Sequence, residues 1–260
     1  MYIHPTACVD PEASLAEDVR VGPYALIESG VIIGPGCHIQ AHAVIHRNVR
    51  MGSGNQVHPH AVLGGLPQDL GFDPASETWL DIGEGNVFRE GVTVSRATRV
   101  GDSTRIGAFN YLMNNSHIAH DCQVGDRNIL ASGATLGGHV EVGDRVFLGG
   151  GVMVHQFCRI GSLAMLQGLA GINKDALPYT LIGGRPGKHY RLNLVGLRRA
   201  GVSSDGIRIL SQAYRRLRGR ESLAGLSECP ELTQLQHWLA SPSRRGGLLG
   251  FVTAERAGSE

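Results

Sequence analysis

The sequence predicts an all-β solenoid, in which short parallel strands wind around one axis, followed by a small α-helical C-terminal domain. Three observations lead to this fold class. An apolar residue recurs at every sixth position, a small residue recurs four positions later, and both periodicities end near residue 177. The 37 glycines and the 5% aromatic content agree with this prediction, because large rings do not fit the interior of a regular solenoid.

The six-residue repeat covers residues 3–63 and, after an interruption, residues 82–172. Its first position is apolar in all 11 hexads before the interruption and in all 16 after it, with Val100 counted among them. Only 42% of the chain is hydrophobic, so chance does not produce such a run. A large and a small inward side chain per strand, with glycine at the corners, is typical of a hexapeptide β-solenoid.

The fifth position of the hexad holds small residues, and three of the five cysteines occupy it. Cys37, Cys122 and Cys158 all lie in this inward slot. We therefore predict that Cys122 packs in the core, although it directly follows a histidine and an aspartate.

Three hexads per turn is the arrangement known for proteins with this motif, and it stacks residues 18 apart at a spacing of about 4.8 Å. Stepping by 18 from His120 predicts one edge where four histidines from three successive coils meet a carboxylate. The residues on that edge are His117, His120, Asp121, Gly138, His139, His155 and Gln156.

A loop at residues 65–81 interrupts the repeat and contains one of the two tryptophans. Loops of this length in compact domains are usually functional. Because Ile82 precedes Ile118 by 36 residues, we predict that Ile82 stacks two coils below Ile118. The loop is therefore expected to leave the solenoid at the corner that carries the histidines.

The hexads give way to a helical pattern, which predicts a β-helix at residues 1–183 and a helical domain at residues 184–260. Ser203 or Ser204 is a good N-cap for one helix, and a second helix is predicted at Pro230–Leu239. The apolar face of the first helix consists of Ile207, Leu210, Tyr214 and Leu217. Its basic side, which either faces solvent or binds an acidic partner, consists of Arg208, Arg215, Arg216, Arg218 and Arg220.

Composition and charge exclude several classes of partner. Lys and Arg (24) nearly balance Asp and Glu (23), so binding to nucleic acid or to an anionic membrane is not expected. The N-terminus lacks the pattern of a signal peptide, and no apolar run approaches the roughly 18 residues of a membrane helix. Five cysteines without a CxxC pair suit a reducing compartment, so we expect a cytoplasmic protein.

The His120–Asp121 pair suits general base catalysis near neutral pH, with the carboxylate orienting the imidazole. The Gly138 amide, one coil above, is placed to stabilise an oxyanion. No covalent nucleophile is evident at this edge, which favours direct transfer in a ternary complex. Two other interpretations stay open: a zinc site, and histidines on a solvated face. Zinc fits less well because the histidines form a ladder rather than converging on a point, so no metal or cofactor is expected.

The segments "SHIAHDCQVGDRNILASGATLGGHVEVGD", "VHQFCRIG" and "NLVGLRRAG" resemble the UDP-N-acetylglucosamine O-acyltransferases of lipid A biosynthesis over essentially the whole chain. The resemblance implies a left-handed parallel β-helix and a homotrimer with active sites between neighbouring chains. It also implies transfer of a 3-hydroxyacyl chain from acyl-carrier protein to the sugar 3-hydroxyl. The basic helix would then bind the acidic carrier protein.

The resemblance further implies a role for each matching residue. His120 would be the general base, Asp121 its orienting partner and Gly138 the oxyanion donor. The sugar and acyl site would be lined by Gln68, Asp69, His117, His139, His155 and Gln156. The nucleotide would be approached by Asn193, Arg198 and Arg199. Gly168 lies near the position that limits acyl-chain length in the family.

Four positions depart from the family pattern, and all lie on the substrate side of the site. They are Gly71, Ser95, Val195 and Ala200, where the family usually has Lys, His, Glu and Arg. The departures leave open a diverged acyltransferase acting on another nucleotide sugar, such as a 3-amino sugar. The alternatives from other classes are a zinc hydratase of the carbonic anhydrase type and a non-catalytic solenoid.

Overall fold

The computed structural model describes residues 1–252 and forms a parallel β-helix of triangular section, capped by a C-terminal hairpin and three helices. Each coil contributes one short strand to each of three sheets. Sheet A contains β1 (Tyr2–Ile3), β4 (Arg20–Val21), β7 (His38–Ile39), β10 (Gln56–Val57), β13 (Val87–Phe88), β16 (Tyr111–Leu112), β19 (Ile129–Leu130), β22 (Phe147–Leu148), β25 (Met165–Leu166), β27 (Thr180–Gly183), β28 (Lys188–Leu192) and β29 (Gly250–Phe251).

Sheets B and C form the other two faces of the prism. Sheet B contains β2 (Cys8–Val9), β5 (Leu26–Ile27), β8 (Val44–Ile45), β11 (Val62–Gly65), β14 (Thr93–Ser95), β17 (His117–Ile118), β20 (Thr135–Leu136), β23 (Met153–Val154) and β26 (Gly171–Ile172). Sheet C contains β3 (Ser14–Leu15), β6 (Ile32–Ile33), β9 (Val49–Met51), β12 (Trp79–Ile82), β15 (Ser103–Ile106), β18 (Gln123–Val124), β21 (Glu141–Val142) and β24 (Arg159–Ile160). The three edges between these faces are called the A–B, B–C and C–A edges.

The strand register confirms the predicted stacking of residues 18 apart in the regular coils. Ile118 pairs with Leu136 and Leu130 with Leu148, each in parallel with the next coil. The predicted inward positions form the continuous core along the axis. Cys122 is completely buried there, and burial raises the pKa of its thiol to about 12, which confirms the predicted packing role.

Two excursions leave the solenoid at the B–C edge, and the second was not recognised in the sequence. The first joins β11 to β12, and the second, residues 96–102, joins β14 to β15. Val100 lies in the second excursion and is 73% exposed, so its assignment to a hexad is wrong. Because of this excursion Ile82 pairs with Ile106, 24 residues further on where a regular coil has 18. The six extra residues equal one hexad, and therefore the apolar period continues through the excursion unchanged.

The predicted stacking of Ile82 on Ile118 is wrong, because the second excursion lengthens the coil between them. Ile82 pairs with Ile106, which pairs with Val124 on sheet C. The predicted corner is nevertheless correct, because β11 lies two coils below β17 in sheet B. The long loop thus leaves at the same edge as His120.

An internal ladder of asparagines crosses the coils that carry the excursions. Asn55, Asn86, Asn110 and Asn128 are all buried inside the C–A edge. Each side-chain oxygen accepts from the backbone N–H one coil further on, at 2.7–2.9 Å. The ladder fixes the vertical register of coils whose lengths differ, because a slip of one coil would leave buried amide groups without partners.

The two predicted helices are confirmed as α2 (Ser204–Gly219) and α3 (Pro230–Ala240), with Ser203 as the N-cap that accepts from Gly206 N–H. A short α1 (Leu194–Arg199) and the antiparallel β27–β28 hairpin were not foreseen. The predicted division at 183/184 falls in the turn of that hairpin and stays a prediction. None of the helices in residues 1–252 combines the length and the apolar content that a membrane crossing requires.

Candidate active site

The B–C edge stacks the sequence-predicted residues in two adjacent columns. One column consists of His120, Gly138 and Gln156, and the other of Asp121, His139 and Phe157. Backbone hydrogen bonds join the coils here, from His139 N–H to His120 O (2.9 Å) and from Phe157 N–H to Gly138 O (3.0 Å). Asp121 and His139 both adopt a left-handed backbone with φ near 60°, which turns the chain around the corner.

His120 and Asp121 form a close pair that is largely shielded from solvent. His120 Nδ1 lies 2.7 Å from Asp121 Oδ2, and the two side chains are 12% and 10% exposed. Because an ionised carboxylate only accepts hydrogen bonds, Nδ1 carries the proton and Nε2 is left as the basic nitrogen. This is the tautomer that a general base needs.

Asp121 is held by more than the histidine. Thr98 N–H donates to Oδ1 at 3.0 Å, and Thr98 Oγ1 donates to Oδ2 at 2.7 Å. The Asp121 N–H in turn donates to Thr104 Oγ1 at 2.8 Å. Burial alone would raise the pKa of the carboxyl, but the hydrogen bonds from His120 and Thr98 outweigh it and lower the pKa to about 2.

His139 lies beside the pair as a second imidazole. Its Nε2 is 3.6 Å from Asp121 Oδ2, and its ring meets the ring of His120 edge-on with centroids 5.2 Å apart. Its other face stacks on Phe157 at 4.6 Å. Burial lowers the pKa of His139, which therefore favours the neutral form.

Gly138 packs directly against the His120 ring. A Cβ at this position would lie 2.6 Å from Cε1 and 2.7 Å from Nε2 of His120, so no larger residue fits without displacing the base. Among residues 1–252 the Gly138 N–H has no hydrogen-bond acceptor. Gly138 is the third residue of its hexad, and in other hexads this position holds proline. Proline is tolerated there because the hydrogen bonds between coils do not use the N–H of the third residue. The prolines in this slot are Pro5, Pro11, Pro23, Pro35 and Pro59.

His117, His155 and Gln156 lie on the same edge. His117 Nδ1 is 2.7 Å from Thr93 Oγ1, one coil below, and burial lowers the pKa of its imidazole. His155 and Gln156 are exposed on the coil above Gly138. The structure brings His120, Asp121 and His139 into contact, whereas His117 and His155 share the edge without touching that group.

Gln68 and Asp69 lie exposed on the long loop that starts from this edge. Asp69 Oδ1 accepts from Gly71 N–H at 2.9 Å, which closes a turn. The far side of the loop is fixed at the carbonyl of Pro74, which accepts from the buried Arg96 at 3.2 Å and from Arg47 at 2.8 Å.

The remaining predicted residues lie at other edges of this chain. Gly168 lies on the A–B edge, between β25 and β26. Asn193 caps α1 by accepting from Gly196 N–H at 3.0 Å, and it donates to Leu163 O, on the C–A edge, at 2.9 Å. Arg198 and Arg199 follow on α1 and are exposed. A single chain does not bring these residues to His120.

The sequence reasoning missed Thr98 and Thr104, the two residues that surround Asp121. The stacking rule did not find them, because the second excursion lay hidden within an unbroken apolar phase. It also missed Arg244, which stacks on Phe157 at 4.3 Å from beyond α3. Only the folded C-terminal domain brings that side chain to the edge.

Space for a ligand borders the carboxylate. A cavity of about 350 Å³ is lined by Asp121, His139, Arg99 and Arg244, among others. A larger groove of about 920 Å³ follows the outer face of sheet C and contains none of the predicted site residues.

His120, Asp121 and His139 place potential metal-ligand atoms within 4.8 Å of one another. This is the one such group of three or more in residues 1–252. The Asp121 oxygen that faces both imidazoles, Oδ2, already accepts two hydrogen bonds, from Thr98 Oγ1 and from His120 Nδ1. The donor set therefore fits an orienting carboxylate better than a zinc ligand, which needs a free lone pair directed at the ion.

Family models match both the solenoid and the C-terminal region of the chain. The family model described as bacterial transferase hexapeptide (six repeats) matches residues 12–47 and 103–138, and the model described as UDP-N-acetylglucosamine O-acyltransferase, domain 2, matches residues 175–255. A curated acyl-[acyl-carrier-protein]–UDP-N-acetylglucosamine O-acyltransferase from Anaeromyxobacter dehalogenans is 40% identical over 259 residues, 99% of each chain. One from Syntrophobacter fumaroxidans is 48% identical over 217 residues, 83% of this chain and 84% of its own.

Solved structures match as well. The crystal structure of UDP-N-acetylglucosamine O-acyltransferase from Moraxella catarrhalis is 40% identical, with a TM-score of 0.81 over 92% of this chain and 91% of that one. These matches confirm a left-handed β-helix with a small helical C-terminal region. The chain therefore belongs to the acyl-[acyl-carrier-protein]–UDP-N-acetylglucosamine O-acyltransferase family.

Proposed function

We propose that this protein transfers a 3-hydroxyacyl chain from acyl-carrier protein to the 3-hydroxyl of UDP-N-acetylglucosamine, the first step of lipid A biosynthesis. The observation that carries the proposal is the His120–Asp121 pair, 2.7 Å apart, next to the Gly138 N–H, which has no acceptor among residues 1–252. Full-length relatives named for this reaction support it.

In the proposed mechanism His120 Nε2 removes the proton of the sugar 3-hydroxyl as its oxygen attacks the thioester carbonyl. Asp121 stays ionised, because its pKa is about 2, and stabilises the imidazolium that forms. The Gly138 N–H donates to the oxyanion of the tetrahedral intermediate. Collapse of the intermediate breaks the C–S bond and forms the ester, and the carrier thiolate takes the proton from His120.

We further propose that the surrounding residues bind the two substrates. Gln68, Asp69 and the other histidines of the B–C edge line the sugar and acyl site. Asn193, Arg198 and Arg199 approach the nucleotide, and Gly168 borders the end of the acyl chain. The basic side of α2 receives the acidic carrier protein, since Arg208, Arg215 and Arg218 are exposed there.

The placement of these residues supports an assembly of several chains, and the family resemblance implies a homotrimer. Gly168 and Asn193 lie at the A–B and C–A edges of one chain, whereas His120 lies at its B–C edge. A complete site with all of them therefore needs edges from neighbouring chains. We propose a trimer in the cytoplasm, and sedimentation equilibrium should give three times the chain mass of 27.7 kDa.

The decisive experiment incubates the purified protein with 3-hydroxyacyl carrier protein and either UDP-N-acetylglucosamine or its 3-amino analogue. We expect an ester with the first and, at most, a slow amide with the second. An amide product without any ester would overturn the proposed acceptor and identify the diverged acyltransferase. Stoichiometric zinc in a protein that acylates neither sugar would favour the hydratase alternative, and metal analysis that finds no stoichiometric zinc would remove it.

A further inference from the structure

The second excursion places a single residue, Thr98, on both oxygens of Asp121. Its N–H donates to Oδ1 at 3.0 Å and its hydroxyl donates to Oδ2 at 2.7 Å. A carboxylate held at both oxygens by two donors of one residue has a defined rotation about its Cβ–Cγ bond. Asp121 is also 10% exposed, so these hydrogen bonds are poorly screened by water.

Rotation of this carboxylate matters because two imidazoles compete for the same oxygen. Asp121 Oδ2 lies 2.7 Å from His120 Nδ1 and 3.6 Å from His139 Nε2. A modest turn of the carboxylate toward His139 would exchange one partner for the other. In the observed orientation, the Thr98 hydroxyl holds Oδ2 on the side of His120.

The regular solenoid does not supply such a brace. At an ordinary corner the Asp144 carboxylate accepts from the Asp126 N–H one coil below, at 2.8 Å, and both residues are exposed. Below Asp121 the tight corner is replaced by residues 96–102, which brings Thr98 into reach. Arg96, in the same excursion, donates instead to Pro74 O of the long loop.

We infer that Thr98 is a positioning residue for the acid–base pair: it orients the Asp121 carboxylate toward His120 and away from His139. This inference rests on the proposed role of His120 as the base. Thr98 itself does not touch the reacting atoms. Its contribution therefore reaches the reaction only through Asp121.

A double-mutant cycle tests the inference. Thr98→Val keeps the shape of the side chain and removes the hydroxyl, and we expect kcat to fall about 10-fold with KM nearly unchanged, as loss of a hydrogen bond to a charged group predicts. In an Asp121→Asn background the same Thr98→Val change should have no further effect on kcat, because its target is gone. Thr98→Ser, which restores the hydroxyl, should return kcat to within about two-fold of the wild type.

Thr78→Val is the matched control. Thr78 is fully buried, and its hydroxyl has no hydrogen-bond partner among residues 1–252. The same change there should leave kcat and KM unaltered. If Thr98→Val melts at a much lower temperature than this control, Thr98→Ala, which adds no volume, takes its place in the cycle.

Wild-type kcat in Thr98→Val, or equal and additive losses in the two backgrounds, would overturn the inference. Thr98→Ser as slow as Thr98→Val would do the same, since the hydroxyl would then not be the cause. His120→Ala separates this failure from failure of the proposed mechanism. An inactive His120→Ala with a fully active Thr98→Val refutes the Thr98 role alone, whereas a fully active His120→Ala refutes the base.

Discussion

Two columns of stacked rings lie on different edges of the same solenoid, and they differ in what surrounds them. On the A–B edge, Tyr24, His42 and His60 stack face to face, with ring centroids 5.1 Å apart at each step. On the B–C edge, His139 stacks on Phe157 but meets His120 at 90°. The six-residue repeat produced both columns in the same way, by placing residues 18 apart one above another.

The two columns differ in burial and in hydrogen bonding. The rings of His42 and His60 are exposed, and within residues 1–252 neither makes a hydrogen bond. His120 is largely buried, paired with a carboxylate, and covered by a glycine one coil above. Both excursions leave at the B–C edge and none leaves beside His42. The repeat therefore places histidines together on both edges, and only on the B–C edge of residues 1–252 do excursions surround them.

The largest expected effect separates the two columns directly. His120→Ala removes the base and should lower turnover by at least about 10²-fold. His42→Ala and His60→Ala, as exposed substitutions, should leave turnover within about two-fold of the wild type. Initial rates with both substrates saturating provide the measurement. A comparable loss of turnover in the His42 or His60 variants would show that the two columns do not differ in function.

Gly138→Ala should have the next largest effect. The new methyl group would meet His120 at 2.6 Å and push the imidazole off its position, so we expect kcat to fall on the order of 10- to 100-fold. Gly150→Ala is the matched control, since Gly150 fills the same slot on the A–B edge and its Cβ would meet only Ser132 O at 3.5 Å. Similar losses in the two variants would contradict a specific contact with His120.

The low pKa of Asp121 predicts a pH dependence of stability. A carboxyl whose pKa is about 2 in the folded chain, and near 4 when unfolded, stabilises the fold fully above pH 4. This contribution, about 2 kcal/mol, is lost as the pH falls from about 4 through 2. Urea unfolding of Asp121→Asn should therefore show a shallower loss of stability in that interval than the wild type.

Asp10→Asn provides the comparison for this measurement. In the described part of the chain, residues 1–252, the Asp10 carboxylate accepts only from Glu12 N–H, in an exposed turn. This variant should retain the steep wild-type loss of stability at low pH. If Asp121→Asn lost stability with falling pH as steeply as the wild type, the hydrogen bonds around Asp121 would not stabilise the fold.

The smallest expected effect concerns the long loop. Arg96→Gln removes the buried guanidinium that holds Pro74 O, and we expect KM for the nucleotide sugar to rise about 5-fold, equivalent to one hydrogen bond, with little change in kcat. Arg47→Gln removes an exposed donor to the same carbonyl and should have a smaller effect. Equal effects of the two variants on KM would indicate that burial of Arg96 is unimportant.

Much of this arrangement was predictable from the sequence because the solenoid obeys simple arithmetic. The core positions, the burial of Cys122 and the meeting of His120 with Gly138 and His139 all follow from the period of six. The two longer helices followed from their caps and apolar faces. These features depend on local pattern and on stacking, and both can be read along the chain.

The rest depends on contacts that no period encodes. Thr98 reaches Asp121 from the second excursion, residues 96–102. This excursion lengthens its coil by one hexad, so the apolar period continues through it, and Val100 was wrongly counted as a core position. Arg244 reaches Phe157 only after the C-terminal domain folds back on the solenoid. The β27–β28 hairpin was missed because its strands are antiparallel and lack the hexad pattern.

The asparagine ladder has a consequence for how such a protein changes over generations. Steps between successive rungs span 31, 24 and 18 residues of chain, yet the hydrogen bonds of 2.8–2.9 Å are the same at each step. Segments of different length can therefore be spliced between rungs without shifting the coils above. The excursions can therefore differ in length while His120, Asp121 and Gly138 keep the same positions relative to one another on the stacked coils.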